Sequence, residues 1–172
     1  ATTHCEISGV TDYKSKDDKD CLKTIRNIID KIGDFDKAGF NRIEPQEPKK
    51  DVKEILGILP RSSEKPYDTL EIIERIVDNS EFEQYKKEYG QSIVCGYARV
   101  DGWSVGIVAN QRKLVKSKKG EMQFGGVIYS DSADKASRFI SNCNQKKIPL
   151  VFLQDVTGFM VGSRSEHSGI IK

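Results

Sequence analysis

The chain has little of what marks the more specialised classes of protein. Its 172 residues hold two histidines, four cysteines and one tryptophan, and the formal net charge is only +2. A pI near 8.3, with lysines spread among acids, leaves no electrostatic footprint for nucleic acid, and no such partner is expected. No apolar stretch approaches the length of a membrane span and no signal-peptide h-region opens the chain, so no membrane association is expected. Cys5, Cys21, Cys95 and Cys143 are scattered, without CxxC spacing or neighbouring histidine pairs. That pattern predicts neither a metal site nor a disulfide framework. Cys95 and Cys143 sit in apolar surroundings and read as small core residues. Lys113–Lys119, the one dense basic run, reads as a solvated loop. No internal repeat or low-complexity tract is visible.

What is present is an ordinary globular balance, 37% apolar and 31% charged, enough for one domain or two small ones. Residues 17–33 predict an amphipathic helix capped by Asp17 or Asp18, with Leu22, Ile25, Ile28, Ile29 and Ile32 on one face and Gly33 at its end. Asp34–Lys50, with Gly39, Pro45 and Pro48 among charges, reads as a linker, and a short helix follows over Asp51–Leu56. Pro66-Tyr67-Asp68 opens another helix that buries Leu70, Ile73, Ile76 and Val77. Ser80 and Glu83 have capping-box spacing for a short helix carrying Phe82 and Tyr85. Ile93–Val100 and Trp103–Ala109 flank Asp101-Gly102, a strong hairpin signal, and Gly96 and Gly106 inside them predict close backbone contact or a bulge. Gly125–Tyr129 predicts a strand. A helix over 131–146 follows, with Ala133, Ala136, Phe139, Ile140 and Cys143 inward, and a strand over 149–154 completes a βαβ unit. A boundary is placed near Pro60–Pro66. The chain opens on Ala1 and stops at Ile170-Ile171-Lys172 inside what reads as a helix, the pattern expected of a piece of a longer protein.

The most informative stretch is 148–162. Leu150–Leu153 is a continuous apolar run, as in a strand buried on both faces. It leads into a loop bounded by Gly158 and Gly162, residues that let a backbone approach a ligand and aim N–H groups at it. In open α/β sheets ligands sit beyond the carboxyl ends of strands, so Val156–Ser163 is where chemistry is expected. His4 and His167 have no acid–base partner at readable spacing, and Ser163 and Ser165 lack a nucleophile-elbow pattern. Trp103, just past the hairpin turn, reads as a packing or interface residue.

Gln154-Asp155-Val156-Thr157-Gly158-Phe159-Met160-Val161-Gly162 resembles the strand-and-loop signature of the carboxyltransferase (β) subunit of biotin-dependent acyl-CoA carboxylases, with wording nearest the 3-methylcrotonoyl-CoA type. His4, Ser8-Gly9-Val10-Thr11-Asp12, Asp17-Asp18, Ile76–Phe82, Gly96-Tyr97-Ala98-Arg99 and Val105–Asn110 follow in family order, so the resemblance covers nearly the whole chain. It implies an α/β, partial ClpP/crotonase-like carboxyltransferase fold with a helical amino-terminal segment. Residues 1–60 would be the end of the acyl-CoA-binding half plus linker, and 61–172 the start of the biotin-binding half. Gly158, Phe159, Met160 and Gly162 would then belong to the biotin-side loop. The activity implied is transfer of carboxyl from carboxybiotin to an acyl-CoA through an enolate held by backbone N–H donors, an electrostatic contribution of several kcal/mol.

In that family the glycine pair serving the enolate precedes the region matching Ala1, and the glycine-rich helix start facing biotin follows Lys172. No complete catalytic set is therefore expected here, and neither histidine is needed as a base. The implied cofactor is biotin on a separate carrier, with a CoA thioester as substrate. The implied partners are a biotin carboxylase/biotin carrier subunit and further copies of the chain in a hexamer-like oligomer, in bacterial cytoplasm or the mitochondrial matrix. Lys113–Gly126 departs from the methylcrotonoyl pattern as an insertion, similar to the longer loop of the glutaconyl-CoA decarboxylase carboxyltransferase subunit. A decarboxylase is thus the enzymatic alternative, and a non-catalytic α/β interaction domain the alternative of another class.

Overall fold

Asp101 and Gly102 both take positive φ, 51° and 77°, which closes a two-residue turn of the hand that suits twisted strands. The eight-residue arms of this hairpin are the centre of the computed structural model, which describes residues 2–6, 9, 11–32, 41–62, 65–117 and 120–171. The described strands are β1 (Glu83–Tyr85), β2 (Ile93–Val100), β3 (Trp103–Asn110), β4 (Val115–Lys116), β5 (Met122–Gln123), β6 (Val127–Ile128), β7 (Leu150–Leu153) and β8 (Gly158–Phe159). The helices are α1 (Thr2–Glu6), α2 (Asp18–Ile32), α3 (Ile55–Ile58), α4 (Thr69–Ile73), α5 (Ser130–Gln145) and α6 (Ser163–His167). The main sheet has the order β1-β2-β3-β7, antiparallel except for the β3–β7 pair.

Period-two alternation divides the sheet into two apolar faces. Ile93, Cys95, Tyr97 and Val108 pack with Ala136, Phe139 and Cys143 of α5; Val94, Ala98, Val105, Ile107 and Ala109 pack with Ile73 and Val77 from α4 and the turn after it. Phe139 is fully buried between Tyr85 and Tyr97, with ring centroids at 5.2 and 5.0 Å. Each such aromatic contributes about 2–3 kcal/mol by burial alone. The two strand glycines are needed for this closeness. A Cβ on Gly106 would stand 2.6 Å from Cys143 Sγ, and one on Gly96 would stand 2.5 Å from the Glu83 carbonyl.

The crossover differs from the expected one. β7 does not pair with β6, the strand that immediately precedes α5; it pairs with β3, while β6 pairs in parallel with β8. β7 is also less buried than a doubly covered strand, with Phe152 56% exposed. Residues 80–85 do not form a helix. Asn79 and Ser80 take positive φ, and the Ser80 hydroxyl accepts the Lys49 and Lys50 amides (3.0 and 3.2 Å), so it is not available to cap a helix. Glu83–Tyr85 instead extends the sheet edge. α4 stops at Ile73, which leaves Ile76 exposed.

Asp17 caps α2, accepting the Asp20 amide at 2.8 Å, while Asp20 accepts the Lys16 amide in return. Of its expected apolar stripe only Ile28 and Ile32 turn inward; Leu22 and Ile29 are 54% and 64% exposed, and Ile25 is exposed as well. The expected stop at Gly33 lies outside the described residues. Residues 41–50, read as linker, lie along the hairpin. Asn41 and Ile43 exchange backbone hydrogen bonds with Ser104 and Gly102, and Arg42 covers the Trp103 ring at 5.3 Å. The buried Asp78 carboxylate fastens this arrangement by accepting the amides of Gly102 (2.8 Å), Asp101 (2.9 Å) and Gln46 (3.3 Å). Among the described residues no helix is long and apolar enough to cross a membrane.

Among the buried cations that the sequence did not announce, Lys135 is the most enclosed. Lys135 lies on the inner face of α5 with no exposed surface, and its Nζ donates to the Ile93 carbonyl at 2.8 Å. Burial lowers its pKa from 10.5 to about 8. Between these values the unfolded chain binds more protons than the folded one, so stability should rise as pH goes from 8 to 10.5, by about 3 kcal/mol if the shift is fully expressed. The penalty is complete below pH 8. Denaturant titrations across this range should lose most of that rise in Lys135→Met. Separately, Asp78→Ala frees three backbone donors at the turn and should lower stability by about 3 kcal/mol, read as an earlier denaturation midpoint at unchanged slope.

Candidate functional site

Because β3 and β7 are parallel, both run out at the same edge of the sheet, β3 at Asn110 and β7 at Leu153. The segments that continue them, Gln111-Arg112-Lys113 and Gln154–Thr157, meet there. Gln111, almost fully buried, organises the β3 side. Its Oε1 accepts the amides of Arg112 (2.9 Å) and Thr69 (3.1 Å), and its Nε2 donates to Asp68 (2.8 Å). Asp68 also caps α4 through the Leu70 amide and pairs with Lys113 at 2.5 Å. Burial alone would raise the Asp68 pKa, but hydrogen bonds from Lys113, Gln111 and Leu70 outweigh it and hold the carboxyl below its ordinary value.

The β7 side is tied to this frame through Asp155. The Tyr67 hydroxyl donates to Asp155 Oδ2 at 2.8 Å, and Arg112 Nε stands 3.2 Å from the same oxygen. The Arg112 contact is an ion pair without the alignment of a good hydrogen bond. The Asp155 amide donates to Asn110 Oδ1 at 3.2 Å, and Arg112 Nη1 reaches Thr157 Oγ1 at 3.3 Å. Burial and the Asp155 carboxylate push the Tyr67 hydroxyl up to about 12, so it stays a donor near neutrality. Gly125 lies against the same arginine, where a Cβ would strike the Arg112 carbonyl.

Beyond Asp155 the loop forms β8 and turns into α6. The Thr157 and Met160 amides donate to the Gly126 and Ile128 carbonyls at 2.7 and 2.8 Å. These two N–H groups are therefore spent on the β6–β8 ladder and do not face a ligand. What the loop offers outward is different. Phe159, Met160 and Val161 are all exposed, Val161 by 79%. Gly158 and Gly162 each have open space where a Cβ would stand. Gly162 takes φ 118° and ψ 156°, a conformation essentially confined to glycine. Both histidines are exposed, and neither enters this network.

The Lys113–Gly126 insertion, whose first part Lys113–Lys119 was expected as a solvated loop, contains a short hairpin, β4–β5; Lys118 and Lys119 lie outside the described residues. Val115 and Gln123 face inward, with Gln123 donating to the Asp131 carboxylate at the start of α5. Glu121 pairs with Arg164 of α6 at 2.5 Å, so the hairpin also holds the far end of the loop. Tyr67 and Arg112 were not singled out from the sequence. Tyr67 is 88 residues from its partner Asp155 and Arg112 is 45 from Thr157, and no local pattern joins them.

All 172 residues match the carboxyl transferase domain family model, and the chain belongs to that family. It is 41% identical over 178 residues to the mitochondrial methylcrotonoyl-CoA carboxylase beta chain of Arabidopsis thaliana, covering all of this chain and 28% of that one. It is 41% identical to the biotin-dependent 3-methylcrotonyl-coenzyme A carboxylase beta1 subunit of Mycobacterium tuberculosis, over 98% of this chain and 29% of that one. The transcarboxylase 12S hexamer, solved with methylmalonyl-coenzyme A and methylmalonic acid bound, superposes with a TM-score of 0.83 at 31% identity, over 98% of this chain and 31% of that one. The α/β, partial crotonase-like carboxyltransferase fold expected from the sequence is the fold found. The chain spans somewhat under a third of the length of these relatives.

Gly162→Ala meets no neighbour but forces alanine into a glycine-only conformation, at a cost of about 1–3 kcal/mol. Hydrogen exchange should show faster opening across 158–166 in this variant. Gly57→Ala, in α3 with open space around it, should be neutral or stabilising by up to about 1 kcal/mol.

Proposed function

We propose that this chain is part of the carboxyltransferase subunit of a biotin-dependent acyl-CoA carboxylase, of methylcrotonoyl type. In this reading residues 1–60 close the acyl-CoA half and 61–172 begin the biotin half. The observation that carries the site assignment is the loop after β7, where exposed Phe159 and Met160 stand beside two glycines with open space on their Cβ side. A flat, uncharged ring such as biotin's suits that surface, and a bulky side chain at Gly158 or Gly162 would fill it. Biotin, brought by a separate carrier, supplies an activated carboxyl group when bound. The chain's own residues act by placement: Asp155, Arg112 and Tyr67 fix where the loop begins, and Gly162 fixes where it turns into α6. The Thr157 and Met160 amides are spent on the β6–β8 ladder, so these two are not oxyanion donors, and in this reading such donors come from other parts of the subunit.

The Lys113–Gly126 insertion favours one second reading, a relative that moves carboxyl from acyl-CoA to biotin, because its wording departs from the methylcrotonoyl pattern, and its hairpin is tied to α6 through Glu121 and Arg164. The intact protein is read as a homo-oligomer working with a biotin carboxylase/carrier subunit, in the bacterial cytoplasm or mitochondrial matrix. Leu22 and Ile29 of α2 and Phe152 of β7 leave apolar surface of the kind that such an assembly covers.

The test uses the intact subunit with free biotin and carboxylated methylcrotonoyl- or glutaconyl-type CoA thioesters. Biotin-dependent release of the decarboxylated thioester is expected, faster with the methylcrotonoyl type, and negligible turnover from the 172 residues alone. Preference for the glutaconyl type would favour the second reading. No biotin-dependent transfer with either thioester would sink both.

A further inference from the structure

Asp155 is the first residue past β7 whose side chain is anchored, and its anchoring is out of proportion to its exposure. The side chain is about half exposed, where a carboxylate is ordinarily well served by water. Here it takes the Tyr67 hydroxyl and the largely buried Arg112 guanidinium on one oxygen, while its own amide is held by Asn110. Arg112 carries the restraint two residues further, to the Thr157 hydroxyl. The anchors come from three places: the turn before α4, the last residue of β3 and the segment after it. Each is a rigid neighbour of the sheet. The loop is thereby fixed in direction just before Gly158 and Phe159 reach the surface.

We infer that Asp155, clamped by Tyr67 and Arg112, is a positioning residue that orients the Gly158–Gly162 loop toward the carboxyl-carrying ring, and so sets binding on the biotin side without touching the acyl-CoA side. The inference rests on the reading of the loop given above. Tyr67 acts here only through Asp155: its hydroxyl supports the carboxylate and makes no other polar contact to the loop. Arg112 acts twice, on Asp155 and on Thr157. The two supports therefore differ in what their loss should do.

The experiment uses the intact subunit with free biotin as the varied substrate and a carboxylated acyl-CoA as the other. Asp155→Ala should raise KM for biotin by about 5–10-fold and Tyr67→Phe by about 3-fold, with KM for the acyl-CoA changed less than about 2-fold. The double variant should match Asp155→Ala alone, because Tyr67 has no separate route to the loop. Asp155→Asn, which keeps an oxygen for the Tyr67 hydroxyl, should recover part of the loss. Tyr67→Phe removes a single oxygen from a half-buried ring, so it keeps the test informative even where the Asp155 variants fold poorly. Equal rises in both KM values, additive effects in the double variant, or unchanged biotin KM in Tyr67→Phe would each overturn the inference while the carboxyltransferase reading stands. Absence of biotin-dependent transfer in the unsubstituted subunit would overturn the reading and the inference together.

Discussion

Gly106 is the point on which the rest of the structure depends. Its missing side chain lets α5 settle directly on β3, where Cys143 and Phe139 occupy the space a Cβ would need. Its amide donates to the Pro149 carbonyl at 2.8 Å, the hydrogen bond that docks the start of β7 beside β3. One residue thus fixes both the height of the helix over the sheet and the register of the parallel pair. The register sets Ala109 beside Leu153, so both strands end together. Everything at the candidate site follows from that shared ending. Asn110 can hold the Asp155 amide, and Arg112 can reach both Asp155 and Thr157, only because the two strands stop level with each other.

The parts of this arrangement that were legible in the sequence are those with short-range causes. Asp101-Gly102 predicts its own turn, and the Ala136–Phe139–Cys143 spacing predicts the face of α5. The apolar run Leu150–Leu153 predicts a strand, though not its partner. That partner was misassigned because β6 is the nearest preceding strand, and sequence proximity carries no information about which of two strands a helix returns to. Ser80 and Glu83 have capping-box spacing, yet the Ser80 hydroxyl answers to Lys49 and Lys50, thirty residues upstream. A local motif was outcompeted by distant donors. Lys135 was missed for a related reason: periodicity marks its position as inner, but only the folded backbone supplies the Ile93 carbonyl that makes a buried ammonium tolerable.

The same distinction separates what was seen of the site from what was not. Glycines announce themselves: Gly158 and Gly162 are legible as points of backbone freedom, and both take positive φ. Two amides of their loop are not free to face a ligand. A loop beyond a parallel strand has ladder partners of its own, and Thr157 and Met160 use theirs. Asp155 lies inside the Gln154–Gly162 signature, but its partners Tyr67 and Arg112 are common residue types at unremarkable positions. Their meaning exists only in the fold, where three stretches of chain converge on one carboxylate.

The described network also constrains what kind of chemistry this part of the molecule can take part in. Asp68 is committed to Gln111, Lys113 and the α4 cap, Asp155 to Tyr67 and Arg112, and Tyr67 is held protonated well above neutrality. The buried thiols Cys95 and Cys143 are each pushed up to about 12 by burial and remain in the thiol form, unsuited to nucleophilic work. Lys135 is lowered to about 8 by burial, but it is sealed beneath α5 with its Nζ on main-chain carbonyls. Side chains near the loop are therefore arranged to hold geometry and to keep their protons where they are. A transfer reaction in which the reactive group arrives already activated asks nothing more of them, because its barrier is lowered by placement and by fixed dipoles. Hydrolysis would ask for a poised base, and the network described at this edge of the sheet offers none.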